Sequence, residues 1–201
     1  MAVQAPIGTR ERGQHQRRRR IVQTAAALAL RGGVEAMQMR TVAERAGVAL
    51  GTLYRYFPSK MDLVVAVVTE ELDLLESSIV RRPPSADSAA GRAVDVLMRA
   101  TRGLVREPEL ADALVRSLIL AEVKTELGSR ITDLLWRVAT GAVAGTAEDP
   151  APDREGREYI LVGALAGVWI FELLEALRGG RDLDEVRERL ETTAGQLLAG
   201  F

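Results

Sequence analysis

The residues best suited to chemistry lie in a short helix predicted over Gly51–Phe57. Thr52 can form a hydrogen bond to a phosphate or to a base edge, and the hydroxyl groups of Tyr54 and Tyr56 can donate to phosphates. Arg55 can bind a phosphate, and its guanidinium also matches the acceptor atoms of guanine. The small Gly51 would let the backbone approach a ligand closely. These residue types point to DNA recognition rather than to catalysis.

The elements that must position these side chains form a helix-turn-helix. Apolar periodicity predicts a supporting helix over about Gln16–Arg31, which Gly32-Gly33 ends. A short second helix is predicted to begin with a capping box at Thr41-Val42-Ala43-Glu44 and to end at Gly47, which suits the left-handed conformation of a tight turn. In such a motif the helix after the turn lies in the major groove of DNA.

The outward face of this motif supplies the predicted DNA-contacting residues. Leu53 and Phe57 lie one helical turn apart and are expected to face the core, which leaves the residues around them exposed. Lys60 stands in the first turn of the next helix, where a cation opposes the helix dipole, so helix stability does not account for it. A simpler interpretation of Tyr54 or Tyr56 is an ordinary half-buried aromatic. The predicted DNA-contacting residues are Arg17, Arg18, Arg40, Thr41, Ala49, Leu50, Gly51, Thr52, Tyr54, Arg55, Tyr56 and Lys60.

The charge of the chain is divided between its two ends. The net formal charge of the 201 residues is −1, but residues 1–60 hold 11 basic and 3 acidic residues, a charge of +8, and the remainder carries −9. A basic segment of this size is expected to meet a polyanion. A solvated basic tail would give the same imbalance, because Arg17–Arg20 supplies half of the excess. Charge alone leaves both interpretations open.

The rest of the chain is also predicted to be helical. No stretch alternates apolar and polar residues between turn signals, so no strand is expected. Ser59-Lys60-Met61-Asp62 repeats the capping pattern and starts a long helix that reaches about Val80. Further helices are predicted over about Ala89–Arg106, Pro108–Leu120, Val123–Gly145, Asp153–Leu177 and Asp182–Ala199. The predicted fold is therefore all-α, with about nine helices.

The helix-turn-helix segment resembles a known family. The match runs through Thr41-Val42-Ala43-Glu44-Arg45-Ala46-Gly47-Val48 and Gly51-Thr52-Leu53-Tyr54-Arg55-Tyr56-Phe57-Pro58-Ser59-Lys60, and it is similar to the DNA-binding domain of the TetR family of transcriptional regulators. The resemblance implies an all-α homodimer, in most members a repressor, that binds inverted-repeat DNA and releases it when a small molecule enters the C-terminal domain. A narrower resemblance, in Glu35–Arg40 and Val168-Trp169, is to the sterol-catabolism repressors of the KstR kind, which respond to steroid CoA thioesters.

The helix-turn-helix and the helices after it divide the chain into three predicted segments. Residues 1–15 are expected to be a disordered arm, residues 16–60 a helix-turn-helix DNA-binding domain, and residues 61–201 an α-helical domain for effector binding and dimerisation. The effector is expected to be small and largely apolar, because such pockets have mostly apolar walls. The resemblance implies that it is an acyl- or steroid-CoA thioester. Its predicted walls are Met98, Thr101, Leu118, Trp136 and Trp169. Plain core packing is the alternative for each of them.

The helix predicted around Tyr159–Leu177 is expected to form a dimer interface. It is apolar on every side from Ile160 to Phe171, and a helix of this kind has to be covered all round. One face can meet the core of the same chain, and we expect a second copy of the chain, together with the last helix, to cover the other. Packing within one subunit is the alternative. The predicted interface residues are Ile160, Gly163, Ala164, Gly167, Phe171 and Leu174.

Composition excludes several other functions. The chain has no cysteine and one histidine, so no thiol chemistry, metal site or cofactor is expected. Glu172 and Glu175 are interpreted as a solvated edge, and no nucleophile lies at a suitable spacing from a base, so no enzymatic activity is expected. No apolar segment of secretory type lies near the N-terminus, and the apolar run from Ile160 to Phe171 is short for a bilayer, which predicts a cytoplasmic protein. The rival function is ligand-independent DNA binding, as in an architectural protein.

Overall fold

The computed structural model describes residues 7–106, 126–142 and 152–201, together with positions 108, 111 and 115. Over these residues the chain forms eight α-helices and no strand, and the predicted all-α fold is confirmed. The helices are α1 (Ile7–Ala36), α2 (Met39–Ala46), α3 (Leu50–Tyr56), α4 (Lys60–Arg81), α5 (Ala89–Arg106), α6 (Leu127–Thr140), α7 (Arg157–Leu177) and α8 (Leu183–Leu197). The helix predicted over Pro108–Leu120 lies outside the described residues, apart from those three isolated positions.

The chain divides into two compact units, Met1–Glu70 and Glu71–Phe201. The first holds α1, α2, α3 and the start of α4, and the second holds the rest of α4 and the four later helices. The division falls within α4, whereas the predicted domain boundary lies at the start of that helix. Residues 7–15, predicted as part of a disordered arm, are helical here, because α1 begins at Ile7 rather than near Gln16.

The N-terminal unit is built on a small apolar core to which each helix contributes. Ile21 and Ala25 of α1, Val42 of α2 and Leu53 of α3 are all fully buried. The regular part of α1 is interrupted at Gly32 and Gly33, as predicted, and Gly33 has a φ of 69°, which favours glycine. One turn of helix follows and is merged with α1.

The predicted start of α2 is wrong. The helix begins at Met39, and its N-cap residue is Gln38, which makes no side-chain capping bond. Thr41 therefore lies inside the helix and cannot cap it. Met37 and Val42 occupy the two positions of a hydrophobic staple, and both are buried. Burial of this apolar pair at the start of the helix accounts for the earlier boundary, because it outweighs a single capping hydrogen bond.

The capping box predicted before α4 is confirmed. The Ser59 backbone amide donates to Asp62 Oδ2 at 2.9 Å, and the Asp62 amide donates to Ser59 Oγ at 3.1 Å. A second capping box, at Asp182 and Glu185 before α8, was not identified in the sequence. Both boxes satisfy amides that the first turn of a helix leaves without partners.

The C-terminal unit is a bundle in which α5 packs against α6, α7 and α8, and α7 packs against α6 and α8. Arg92 of α5 closes the end of α6: its Nε donates to the carbonyl oxygen of Val138 at 3.0 Å and its Nη2 to that of Ala139 at 2.6 Å. These two carbonyls belong to the last turn of the helix, where no backbone partner is available. The left-handed Gly141 ends α6.

Helix α7 carries a buried acidic residue. Glu172, interpreted from the sequence as part of a solvated edge, is only 1% exposed, and that interpretation is wrong. The carboxylate is paired with Arg181 and Arg189, so its burial is compensated by charge. By length and composition α7 could cross a membrane, and 33% of its most apolar stretch of 18 residues is buried. Helix α7 packs against α5, α6 and α8, while Ile160 and Phe171 stay exposed.

Candidate functional site

The recognition helix α3 is held by two apolar residues and exposes the others. Leu53 and Phe57 are buried, as predicted. Ala49, Gly51, Tyr54 and Arg55 are exposed, and Leu50, Thr52 and Tyr56 are partly exposed. Tyr54 is 46% exposed, so the alternative of a half-buried aromatic fits Tyr56 better. A Cβ added at Gly51 would meet no atom within 4 Å, so this face of the helix is open to close approach.

The turn before α3 is fixed by backbone and side-chain hydrogen bonds. Gly47 adopts φ 64° and ψ 42°, and its amide reaches the carbonyl oxygens at the end of α2. The Val48 amide donates to the carbonyl oxygen of Ala43 at 3.0 Å. From α1, Arg20 Nε donates to the carbonyl oxygen of Ala46 at 2.9 Å. Arg20 therefore ties the supporting helix to the turn that orients the recognition helix, a role that sequence reasoning missed.

The four consecutive arginines of α1 have different surroundings. The guanidinium of Arg18 lies over the Phe57 ring, with Cζ 5.3 Å from the ring centroid. Arg19 Nε lies 3.8 Å from Glu70 Oε1, and Arg20 holds the turn. Arg17 is exposed and has no hydrogen bond or ion pair with any residue that the structure describes. Arg17 is thus the member of this run without a polar or aromatic partner among the described residues, and its charge is available to an external anion.

The other predicted DNA contacts lie on the same unit. Arg40 is exposed and Thr41 is partly exposed on α2. Lys60 Nζ lies 3.5 Å from Glu35 Oε2. This ion pair accounts for a cation at the start of α4, and no sequence pattern predicts it. The pair is solvent-accessible, and such pairs contribute little to stability and exchange readily with a phosphate. Arg55 Cζ lies 5.8 Å from the ring centroid of Tyr56, its neighbour in the chain.

The predicted effector residues lie in the interior of the C-terminal unit. Met98, Thr101, Trp136 and Trp169 are buried, and Leu118 lies outside the described residues. Trp169 Nε1 donates to Thr101 Oγ1 at 2.9 Å, and Thr101 Oγ1 donates to the carbonyl oxygen of Leu97 at 2.8 Å. The structure thus brings Thr101 and Trp169 together in a buried hydrogen-bonded pair.

A groove of about 190 Å³ opens elsewhere in this unit, between α4 and α6. None of the predicted effector residues is among its lining residues, which are Glu76, Ser77, Ile79, Val80, Leu134, Arg137 and Val138. The role of the buried tryptophans in effector binding therefore stays a prediction.

Ion pairs beside this groove connect α4 to α6. Arg130 Nη2 lies 2.7 Å from Asp73 Oδ1 and 3.1 Å from Glu76 Oε1, and Arg137 Nη2 lies 3.7 Å from the same Glu76 oxygen. Sequence reasoning missed these residues, since no local pattern indicates a contact between helices so far apart in the chain.

A second cluster connects α6 to α7. Tyr159 donates its hydroxyl to Asp133 Oδ1 at 2.7 Å, and Arg154 Nη2 donates to Asp133 Oδ2 at 2.8 Å. Burial and the hydrogen bond to this carboxylate raise the pKa of Tyr159 to about 12. Tyr159 therefore stays a neutral hydrogen-bond donor at physiological pH, and the start of α7 is fixed against α6.

The predicted interface residues of α7 fall into two groups. Ile160 is 59% exposed, Phe171 is 52% exposed, and Ala164 and Gly167 between them are also exposed. Leu174 is partly buried, and Gly163 turns toward α6, where an added Cβ would lie 3.6 Å from the Thr132 methyl group. Four of the predicted residues thus share an apolar face that no described element of the chain covers.

Among the residues that the structure describes, no group of three or more histidine or acidic side chains is placed to hold a metal ion. No buried side-chain nitrogen or oxygen atom in this part of the chain lacks a hydrogen-bond partner. The described interior of the C-terminal unit therefore presents a hydrogen-bonded and apolar surface rather than a reactive group.

The geometry agrees with the comparison of this chain with known proteins. Residues 21–67 match the family described as bacterial regulatory proteins, tetR family. The HTH-type transcriptional repressor KstR of Rhodococcus jostii (strain RHA1) is 35% identical over 92% of this chain and 84% of its own length. The chain belongs to the TetR family. It is therefore a helix-turn-helix transcriptional regulator and not an enzyme, and regulators of this family act as dimers that bind DNA and small-molecule effectors.

Two further similarities extend beyond the DNA-binding segment of this regulator. The KstR repressor of Mycolicibacterium smegmatis is 32% identical over 93% of this chain and 89% of its own length. The crystal structure of a TetR transcriptional regulator from Rhodococcus sp. RHA1 has a TM-score of 0.72 and 28% identity, and it covers 94% of this chain and 99% of that one. The C-terminal unit thus shares its fold and part of its sequence with these proteins.

The surroundings of Arg17 and Arg20 predict different effects on DNA binding. Arg17→Ala should weaken binding to all DNA sequences alike and lower the slope of log affinity against log salt by about two, because each copy of the dimer loses one phosphate contact. Arg20→Ala should leave the slope unchanged and lower the melting temperature, because the Ala46 carbonyl oxygen loses its partner. Fluorescence anisotropy at several salt concentrations measures the slopes. An equal fall in slope for both variants would contradict the assignment.

Proposed function

We propose that this regulator is a repressor that binds an inverted-repeat operator in the cytoplasm as a homodimer. We further propose that a small, largely apolar effector, an acyl- or steroid-CoA thioester, releases it from the DNA. The observation that carries DNA recognition is the open outer face of α3, set between the buried anchors Leu53 and Phe57. That face lies on the part of the chain that carries a charge of +8.

The homodimer is supported by the uncovered side of α7. Ile160, Ala164, Gly167 and Phe171 follow one another at spacings of four, three and four residues, which places them on one face of the helix. Two exposed large apolar side chains flank two small residues, an arrangement that lets a second helix approach closely. Because a dimer presents two recognition helices, its operator is expected to be an inverted repeat with half-sites at fixed spacing.

The effector is supported by the interior of the C-terminal unit and by the KstR relatives. The pair of Thr101 and Trp169 supplies one polar point in an otherwise apolar region that includes Met98 and Leu97. An apolar cavity with few polar groups is the usual composition of a small-molecule site. We place the effector beside this pair and Trp136, whereas Leu118, the remaining predicted wall, lies outside the described residues.

The route from effector to DNA is proposed to run along α4. This helix is continuous from Lys60 to Arg81. Its C-terminal part is joined to α6 through the Arg130 pairs with Asp73 and Glu76. An effector that displaces α6 would pull on α4 and change the separation of the two recognition helices, which the fixed half-site spacing does not tolerate. Such coupling typically changes operator affinity about 5–150-fold.

The test is to replace Trp136 and Trp169 by phenylalanine in turn. An operator is first obtained by selection from random double-stranded DNA, and its release is then measured by anisotropy during titration with acyl-CoA and steroid-CoA thioesters. We expect the wild-type response to be about 5–150-fold and the variant responses to be largely lost, with operator affinity retained in the absence of thioester.

Two outcomes would contradict the effector proposal. If no thioester releases the wild-type protein, the effector class is wrong, and the ligand-independent regulator becomes the better interpretation. If operator affinity falls together with the response, the tryptophans have only a structural role. A thermal-shift measurement with the same thioesters separates binding from release, because a ligand of the native state raises the melting temperature.

A further inference from the structure

An ion-pair cluster around the buried carboxylate of Glu172 lies next to the uncovered face of α7. Glu172 accepts a hydrogen bond from Arg181 Nη1 at 2.5 Å through Oε2 and another from Arg189 Nε at 2.9 Å through Oε1. Arg181 lies in the connection between α7 and α8, and Arg189 lies on α8. The hydrogen bond to Glu172 raises the pKa of Arg189. Both carboxylate oxygens are thus satisfied, and the connection is held against α7.

Arg181 also contacts an aromatic ring, and among the described residues Arg189 has no such contact. The Cζ of Arg181 lies 5.4 Å from the centroid of the Phe171 ring. The Phe171 side chain is 52% exposed and stands at one end of the uncovered apolar face. Arg181 therefore joins a buried carboxylate on one side to an exposed aromatic ring on the other, and Glu172 and Phe171 are adjacent in the chain.

We propose that Arg181 is a positioning residue for dimerisation. Held by Glu172, its guanidinium fixes the Phe171 ring in the orientation that meets a second copy of the chain. This inference rests on the proposed homodimer. It adds that the Arg181 guanidinium orients one side chain of the interface, Phe171, before the second copy binds.

The physical argument has two parts. A cation over an aromatic ring gains strength when water is removed, so the contact between Arg181 and Phe171 strengthens when a second copy covers it. Desolvation of an arginine at the edge of an apolar interface is costly unless the charge is paired, and Glu172 is already in place as its partner. The ring is also ordered before association, which reduces the entropy lost on binding.

The test is the dissociation constant of the dimer, measured by analytical ultracentrifugation. Arg181→Gln should raise this constant about 5–30-fold, because twofold symmetry repeats the lost contact. Arg189→Gln is the matched control: it also removes an arginine from Glu172 but leaves the Phe171 contact intact, and its constant should stay within about twofold of wild type.

A double-mutant cycle shows whether Arg181 acts through the ring. Phe171→Leu keeps an apolar side chain and both ion pairs, and it should also weaken the dimer. In that background Arg181→Gln should add less than about a twofold effect, because the ring on which it acts is gone. If the effects of the two substitutions on the free energy of dissociation are additive, the inference is overturned. If Arg181→Gln fails to fold, Phe171→Leu alone remains decisive, since an unchanged constant would exclude the ring from the interface.

The remaining outcomes separate this inference from the proposed dimer. A wild-type protein that is monomeric at micromolar concentration would overturn both. A dimeric wild type whose constant is unchanged by Arg181→Gln would overturn the positioning role alone. Equal weakening by Arg181→Gln and Arg189→Gln would also overturn it, because the cluster would then act only in holding α7 to α8.

Discussion

Raising the salt concentration from 50 to 200 mM should weaken operator binding by this regulator about 10³–10⁵-fold. A dimer that neutralises about 6–10 phosphates releases a counterion for each contact, and the affinity falls steeply as salt rises. The exposed Arg17 and Arg40 and the accessible Lys60 supply part of this charge on each copy. Fluorescence anisotropy with a selected operator at four or five salt concentrations measures the slope.

Single substitutions divide this binding energy into general and sequence-specific parts. Lys60→Ala should weaken binding to all sequences alike, because it removes a phosphate contact, and it also breaks the surface pair with Glu35. Thr52→Ala and Arg55→Ala should change the preference among operators, since both side chains lie on the open face of α3. An affinity independent of salt, or a selection that returns no inverted repeat, would refute this account of DNA binding.

Gly167→Arg should dissociate the dimer and weaken operator binding about 10²–10⁴-fold, although the recognition helix is untouched. Gly167 lies on the uncovered face of α7, and a Cβ added there would meet no atom within 4 Å in the chain itself. An arginine is therefore tolerated by the isolated subunit but places bulk and charge where a second helix must approach. Light scattering should show a monomer, or an aggregate formed through the unsatisfied apolar face, and anisotropy should show the loss of binding.

Gly103→Arg provides the matched control. Gly103 is an exposed helical glycine of α5, and an added Cβ there would also meet no atom within 4 Å, of α7 or of any other element that the structure describes. This variant carries the same change in helix propensity, size and charge, so it should remain dimeric with operator affinity close to that of wild type. Dissociation of both variants, or of neither, would rule out the assigned face.

The order of the residues is enough to predict the helical fold and the face of α3 that is suited to DNA. Leu53 and Phe57 recur at a helical period, and this period identifies the outward residues of α3 without knowledge of any other helix. The capping pattern of Ser59 and Asp62 and the left-handed turn at Gly47 are local as well, because each depends on residues within one or two turns. The apolar circumference of α7 likewise indicates that its two sides need different covers.

Two predictions from local patterns failed, for different physical reasons. The hydroxyl of Thr41 stands at a capping position in the sequence, yet burial of Met37 and Val42 moves the start of α2 to Met39. Glu172 has the spacing of a solvated residue, but α8 and the connection before it supply two arginines that make its burial possible. The first outcome is a competition between two local patterns, whereas the second depends on residues that are distant in the chain.

The packing of the helices, and not any local pattern, determines which polar side chains have partners and which remain available. Arg20 finds the Ala46 carbonyl oxygen 26 positions away, whereas Arg17 in the same run has no partner among the described residues. Thr101 and Trp169 are separated by 68 positions and meet in the core of the C-terminal unit. Helical periodicity determines the face on which a side chain stands, but its partner depends on which helix packs against that face. The dimer and effector proposals for this regulator therefore rest on how its helices pack. Its recognition helix, by contrast, can be predicted from the sequence alone.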